Sequence, residues 1–171
     1  MAGIATGAEV LAERSVWSAA ETLPTVLDDL MLTIEHVPRA EEGDEVAFAG
    51  VWVGQLRRIG AAKLNYWGLS SLVESAVLLI SELVTNALKH GKGSEIRFRL
   101  ILGTDRGTDL VVVEVDDGSP GRPEVRNADA DEESGRGMLL VAATAHRWGV
   151  SEDETTTWCT LTSPAVARRA R

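Results

Sequence analysis

The sequence predicts an α/β fold, a two-layer sandwich in which helices cover one face of a mostly antiparallel, mixed sheet. Hydrophobic periodicity gives the element order strand–helix–helix–strand–strand–loop–helix–strand–strand. The composition, 44% hydrophobic and 25% charged residues, is that of an ordinary globular protein. A length of 171 residues fits one domain. We expect that domain at residues 30–163, between a flexible or partly helical N-terminal extension (1–29) and a C-terminal tail (164–171).

The first third of the chain predicts a strand and a helix. Residues 30–37 form the strand, and apolar side chains then recur at helical spacing across residues 48–59. Gly50 and Gly54 weaken this helix, and we expect them to allow another backbone to approach. Residues 67–69 mark the turn that ends it.

The middle of the chain predicts a well-delimited helix and a hairpin. A capping box at residues 71–74 starts the helix, and Gly91 ends it where a left-handed cap is expected. Alternating residues 96–102 and the apolar run 110–115 then form an antiparallel pair.

The last third predicts a long loop, a short helix and two strands. Residues 120–133 are acidic and aperiodic, which is typical of a lid. A short apolar helix follows at 137–145, and strands at 147–151 and 155–161 flank an acidic turn.

Charge and targeting signals narrow the class of protein. A net charge of −9 argues against a direct nucleic-acid binder, which usually carries a basic stripe. The first ten residues lack the basic start and apolar run of a signal peptide, and we find no membrane-spanning run. The single cysteine, Cys159, is interpreted as a buried small residue. We therefore expect a cytoplasmic protein without membrane contact.

The helix at residues 71–91 carries the first candidate site. Glu82 and Asn86 are four residues apart and stand one turn above each other, with Lys89 further along the same edge. Polar groups on an otherwise apolar helix are costly unless they are paired. A hydrated magnesium ion, which prefers oxygen ligands, is a natural partner. The alternative is a helix with a polar, solvated face.

The second candidate site follows the strand at residues 110–115. Strand parity places Asp117 on the same side as Val113 and Val115, and so toward the core, whereas Asp116 falls on the outer face. An inward carboxylate requires a donor, and the exocyclic amine of a purine would serve. The alternative is a turn-capping aspartate.

The third candidate site precedes the short helix near the C-terminus. Gly135 and Gly137 bracket Arg136 there. Backbone N–H groups at a helix start form an anion site, and the arginine adds a fork of donors suited to phosphate.

Together, these stretches resemble the ATP-binding fold of the GHKL superfamily, which includes histidine kinases, gyrase B, the heat-shock chaperone and MutL. Residues 81–91 resemble its N box, 117–121 its D-x-G-x-G box and 134–141 its G-x-G lid box. The sequences at 67–69 and 147–150 look like those of the stand-alone actinobacterial anti-sigma factor serine kinases.

The resemblance implies roles for individual residues. Glu82 would orient or deprotonate the attacking group and Asn86 would ligate magnesium, while Asp117 would bond the adenine amine. The remaining nucleotide contacts would be Lys89, Gly121, Gly135, Arg136, Gly137 and Thr156. Arg136 would also act in catalysis. The sequence departs from the family pattern in three places. Ser119 replaces a glycine, and Glu133 stands where those kinases carry a phosphate-contacting arginine. Thr155–Thr157 stand where relatives often show a Gly-Lys pair.

The implied function is that of an anti-sigma factor with serine/threonine kinase activity, using ATP or ADP and Mg²⁺. Its expected partners are a sigma factor and an antagonist (anti-anti-sigma) protein, and it would be a homodimer. The alternative is a nucleotide-binding regulator that sequesters a partner without phosphotransfer. A histidine kinase domain is disfavoured, because none of the three histidines lies on a separate dimerisation helix.

Overall fold

A computed structural model of the chain describes residues 24–35, 44–121, 123 and 136–165, with side chains in the first helix from Gly50 onward. The strands and helices follow one another along the chain in the predicted order. The strands are β1 (Thr25–Glu35), β2 (Glu95–Asp105), β3 (Thr108–Asp116), β4 (Arg147–Val150) and β5 (Thr156–Pro164). The helices are α1 (Asp44–Tyr66), α2 (Val73–His90) and α3 (Arg136–Thr144), with a 3₁₀ turn at Ser70–Leu72.

The five strands form one sheet in the order β1-β2-β3-β5-β4, and each neighbouring pair is antiparallel. The predicted hairpin is confirmed. Its strands are longer than expected, because only Arg106 and Gly107, with φ of 47° and 80°, form the turn. Two consecutive residues at positive φ give the type I′ geometry that matches strand twist. The α/β sandwich is therefore confirmed, with a wholly antiparallel sheet among the described strands.

Strand β1 begins at Thr25 rather than at residue 30. A register shift between Val26 and Asp28 interrupts its pairing with β2. A bulge of this kind breaks the alternation of faces, which hid the start of the strand from the periodicity argument.

The edge strand β1 is tied to α1 through Asp28. Its carboxylate accepts a hydrogen bond from Trp67 Nε1 at 2.8 Å and pairs with Lys63 Nζ at 2.8 Å. Burial raises the pKa of Asp28, but the hydrogen bonds from Lys63 and Trp67 outweigh it and leave the pKa below its usual value. This cluster anchors the edge of the sheet to the helix layer.

Helix α1 ends at the predicted turn. Gly68 has φ of 77°, and the Leu69 N–H donates to the Leu64 carbonyl at 2.9 Å while the Gly68 N–H donates to that of Asn65 at 3.0 Å. These two bonds form a Schellman motif, which requires the left-handed residue that glycine provides.

The close approach that we expected at Gly50 and Gly54 lies elsewhere. A Cβ at Gly50 would meet nothing within 4 Å, and one at Gly54 would meet only the end of the Arg58 side chain. A Cβ at Gly60, by contrast, would overlap the Ile80 side chain. Helices α1 and α2 therefore pack closely at Gly60.

Both predicted caps of α2 are wrong. The helix follows the 3₁₀ turn directly, and its N-cap residue, Leu72, makes no side-chain capping bond. At the other end Gly91 is extended, with φ −61° and ψ 139°, and its N–H donates to the Ala87 carbonyl at 2.8 Å. Tertiary contacts, described below, determine this end of the helix.

Helix α2 lies at the centre of the core. Its buried residues pack with the inward residues of the sheet, and those on the helix are Ala76, Leu79, Ile80, Leu83, Val84, Ala87 and Leu88. By length and composition alone, Ser70–His90 qualifies as a candidate membrane span, with a mean hydropathy of 1.5. The expectation that no run approaches that length is thus corrected. The same apolar character serves a core helix, which is how α2 packs here.

Candidate functional site

The polar edge of α2 faces outward from this core. Glu82 and Asn86 are half-buried and Lys89 is exposed, whereas the intervening Leu83 and Val84 are buried. Glu82 and Asn86 are about one helical turn apart, as their spacing in the sequence predicted. Their oxygens therefore lie at the boundary between the core and solvent, where a bound ion can reach them.

The N-terminus of α3 lies against Glu82. A Cβ at Gly137 would lie 2.6 Å from Glu82 Oε2, so the first turn of α3 lies close to the end of the Glu82 side chain. Arg136, the first residue of α3, is exposed. Glu82 and Arg136 therefore lie in the same region as the N–H groups at the start of α3. The N–H groups and the arginine suit an anion, and the glutamate suits a cation that accompanies it. Gly135 lies outside the described residues.

Asp117 lies at the C-terminal end of α2. A Cβ at Gly91 would come within 3.0 Å of Asp117 Cβ and 2.5 Å of the Ala87 carbonyl oxygen, and one at Gly93 would lie 2.5 Å from the Asp117 carbonyl oxygen. Close approach of two backbones, and not a left-handed φ, is thus the reason for both glycines. The contact fixes Asp117 next to the last turn of the helix.

The serine that departs from the family pattern holds this junction together. The Asp117 Oδ1 accepts a hydrogen bond from the Ser119 N–H at 2.9 Å, and the Ser119 hydroxyl accepts one from the Lys92 N–H at 2.6 Å. Gly118 between them has φ of 68°. Ser119 therefore links the turn after β3 to the loop after α2.

The acidic turn between β4 and β5 braces the same segment. The Asp117 N–H donates to the Thr155 carbonyl and the Gly121 N–H to that of Glu154, each at 3.2 Å. Within the turn, Asp153 accepts hydrogen bonds from the Ser151 hydroxyl and from the Thr155 N–H, and these bonds lower its pKa. Gly121 is thus held beside the site, and among the described residues no atom lies within 4 Å of where its Cβ would be.

Asp116 turns to the opposite face of the sheet. Its carboxylate pairs with Arg97 at 2.8 Å and accepts the Gly118 N–H at 2.9 Å. Val113 and Val115, which have the parity of Asp117, belong to the main core. The two adjacent aspartates therefore serve different faces, as the parity argument predicted.

The strand register does not bring Thr156 to the site. Thr156 is buried opposite Asp116, so its side chain lies on the outer face. Thr157, opposite Val115, is half-buried and has the inward parity. A one-residue slip in alignment exchanges the two faces of a strand. Thr157 is therefore the residue of this pair with inward parity, and the role of Thr156 stays a prediction.

The described contacts thus form two ends of one site along α2. Glu82 and Gly91 are nine positions apart, which corresponds to roughly 14 Å along a helix axis. The Glu82 end has the N-terminus of a helix, and the Gly91 end has an oriented carboxylate. Asn86 lies between them and offers an amide oxygen suited to Mg²⁺. This arrangement fits a nucleotide with its base at Asp117 and its phosphates near Gly137.

The comparison with known protein families agrees with this geometry. A family model described as a histidine kinase-like ATPase domain matches residues 52–162, close to two thirds of the chain. The chain belongs to this family, which is of the GHKL ATPase type. None of the curated proteins searched matches the chain. Nucleotide binding is thus the activity that the family implies.

Sequence reasoning missed several residues that shape the site, namely Lys92, Gly93 and Thr157. Their roles depend on contacts between segments distant in sequence. The repeated glycines of Gly91-Lys92-Gly93 were the one local signal that a backbone packs closely there. The predicted lid is not described beyond Gly121 and Pro123, so that prediction lies outside the described residues.

Proposed function

We propose that this protein is a cytoplasmic anti-sigma factor that binds Mg²⁺–ATP and phosphorylates a serine of an antagonist protein. In this proposal it acts as a homodimer and holds a sigma factor until the antagonist displaces it. Membership of the ATPase family supports the nucleotide, and the motifs at residues 81–91 and 147–150 support the anti-sigma class.

The observation that carries the proposal is the position of Glu82. Its carboxylate contacts the start of α3 at Gly137 and lies one helical turn from Asn86. A base at the phosphate end can take the proton of a serine hydroxyl as that oxygen bonds to the terminal phosphorus and ADP leaves. When bound, Mg²⁺ would neutralise charge on the phosphates, and Asn86 would hold it.

Arg136 supplies the positive charge that phosphoryl transfer requires from the protein. It begins α3 and is exposed, so its side chain can turn toward a phosphate at the helix start. Its role is to stabilise charge on the transferring group, which predicts that Arg136→Ala costs turnover much more than nucleotide affinity.

The test is phosphate transfer from γ-labelled ATP to each candidate antagonist encoded by the host. Glu82→Gln should reduce transfer by at least about 100-fold, the lower range for a general base, while ATP remains bound. Glu74→Gln, an exposed acid in the first turn of the same helix, is the matched control and should leave transfer unchanged. Equal transfer by both variants would contradict the role of Glu82.

A nucleotide-gated regulator without phosphotransfer is the second candidate, and Glu133 favours it. An acid at that position opposes the phosphate charge that an arginine there would neutralise. If the protein binds ATP and a host sigma factor in a gel-filtration assay, but transfers no phosphate to any antagonist, this second function replaces the first.

A further inference from the structure

The segment that carries Asp117 is held by the turn between β4 and β5. The paired part of β3 ends at Asp116, so Asp117 lies beyond the regular pairing of the sheet. There the Asp117 N–H donates to the Thr155 carbonyl at 3.2 Å. The Gly121 N–H donates to the Glu154 carbonyl at the same distance. Both distances are at the long end of the range for N–H···O bonds. The position of this segment therefore depends on how firmly the turn keeps its shape.

The shape of the turn is not the one that its residue types favour. Glu154 has φ of 60°, in the left-handed region that residues with a long side chain rarely occupy. Its N–H donates to the Ser151 carbonyl at 2.9 Å, which closes the turn. A left-handed residue of this kind persists only where the surrounding contacts hold it. The conformation that aims the Glu154 carbonyl at Gly121 therefore needs support from neighbouring residues.

Asp153 provides this support through one carboxylate oxygen. Its Oδ1 accepts hydrogen bonds from the Ser151 hydroxyl at 2.5 Å, from the Thr155 hydroxyl at 3.0 Å and from the Thr155 N–H at 3.2 Å. These bonds join the residue that begins the turn to the residue that follows Glu154. The Thr155 backbone, whose carbonyl accepts from Asp117, is thus oriented by the carboxylate of Asp153.

Ser151 connects the turn to the sheet. Ser151 is 6% exposed, and its hydroxyl accepts a hydrogen bond from the Thr156 N–H at 3.0 Å while it donates to Asp153. The Ser151 N–H donates in turn to the Thr156 carbonyl at 2.9 Å. Two of the threonines that stand where relatives often show a Gly-Lys pair therefore anchor this turn, namely Thr155 and Thr156.

We propose that Asp153 is a positioning residue of the nucleotide site, which holds the turn in the shape that places Asp117 and Gly121 beside the base. Asp153 touches no nucleotide itself and acts through the carbonyls of Glu154 and Thr155. This proposal rests on the proposed function, since it takes Asp117 as the residue that binds the base. Because adenine offers an amine to a carboxylate and guanine offers a carbonyl at that position, a loosened turn should weaken ATP binding more than GTP binding.

The test compares Asp153→Ala with Asp153→Asn in the full-length chain by calorimetric titration in Mg²⁺. Alanine removes the acceptor, so the ATP affinity should fall about tenfold, the upper range for one net hydrogen bond, and the ATP-to-GTP ratio should fall with it. Asparagine keeps an oxygen that accepts the same bonds, so it should bind ATP within about threefold of the unsubstituted protein. Glu152→Ala is the matched control, because Glu152 is an exposed acid of the same turn that takes part in none of these contacts. It should change neither quantity.

Hydrogen exchange of the nucleotide-free protein tests the positioning without a ligand. The Asp117 and Gly121 amides should exchange at least about tenfold faster in Asp153→Ala than in the unsubstituted protein. Unchanged exchange at both amides would overturn the proposal. Faster exchange with an unchanged ATP-to-GTP ratio would overturn it too, as would a loss of affinity that asparagine does not restore. If the unsubstituted protein binds no ATP, the proposed function fails, and exchange at the two amides still decides whether Asp153 positions this segment.

Discussion

The two ends of the candidate site along α2 differ in the atoms that make their closest contacts. At Asp117, glycines at positions 91 and 93 let backbone pack on backbone, and a Cβ at either would collide with atoms that cannot move alone. At Glu82, the atom closest to Gly137 is the tip of a side chain, which can rotate away. The Asp117 end, where we propose that the base binds, is therefore preformed, whereas the Glu82 end, where we propose that the phosphates bind, can adjust. Rigid positioning suits recognition of a flat base, and an adjustable carboxylate suits a reacting group.

Among the variants that test this difference between the two ends, Gly91→Ala should have the largest effect on nucleotide affinity. The methyl group would force the main chain away from Ala87 and displace Asp117, so we expect nucleotide affinity to fall by roughly 100-fold, as misplacements of about 1 Å can cause. Thermal unfolding should show a destabilisation of about 1–3 kcal/mol.

Gly50→Ala is the matched control for that variant, because a Cβ there meets nothing within 4 Å in the exposed part of α1. It should stabilise the protein by about 0.5–1 kcal/mol and leave affinity unchanged. A Gly91→Ala protein that binds nucleotide normally would show that the base end is not rigid.

Asn86 lies between the two ends, and its replacement tests whether a metal joins them. Asn86→Ala should remove the Mg²⁺-dependent part of the affinity, roughly 10–100-fold, while unfolding remains cooperative. Titration calorimetry with and without Mg²⁺ measures this, and Gln55→Ala on the exposed face of α1 provides the control. Metal dependence that survives in the Asn86 variant would remove Asn86 from the metal site.

Asp117→Asn tests base recognition at the rigid end. Because the Ser119 N–H holds Oδ1, the oxygen of the asparagine would stay there and its amide nitrogen would turn toward the base. A donor suits the guanine carbonyl and repels the adenine amine. The ratio of ATP to GTP affinity should therefore fall by about tenfold or more.

Asp116→Asn is the control for base recognition, because Asp116 pairs with Arg97 on the other face. It should leave the ATP-to-GTP ratio unchanged. If this variant alters the ratio and Asp117→Asn does not, the assignment of the two aspartates by parity is wrong.

Gly137→Ala should have the smallest effect, which sharpens the contrast between the ends. Among the described residues, the added methyl group meets the carboxylate of Glu82, which can move by rotation of its side chain. We expect less than about a threefold loss of ATP affinity, the range of tolerated substitutions, and a larger loss of phosphate transfer if Glu82 is displaced. A loss of affinity equal to that of Gly91→Ala would show that both ends are rigid.

The difference between contacts within one element and contacts between elements explains what the sequence could predict. Periodicity located α1, α2, the hairpin and α3, because burial of one face leaves a regular pattern along the chain. Parity placed Asp116 and Asp117 on opposite faces for the same reason. These features depend only on neighbours within one element.

What the sequence could not predict depends on contacts between elements. Gly60 is explained by Ile80 and Gly93 by the Asp117 carbonyl, and neither partner can be identified from local pattern. The bulge after Val26 shifted the phase of β1. The loose alignment that suggested Thr156 does not fix strand register, and one residue of error in register reverses the face on which a side chain lies.

The central claim is that an adenine nucleotide binds along α2 with its base at Asp117 and its metal at Asn86. The most direct test is calorimetric titration of the unsubstituted protein with ATP and with GTP, each in Mg²⁺ and in chelator. We predict a single site that prefers ATP by at least about tenfold and weakens without Mg²⁺. No binding of ATP, or equal and metal-independent binding of both nucleotides, would contradict the account.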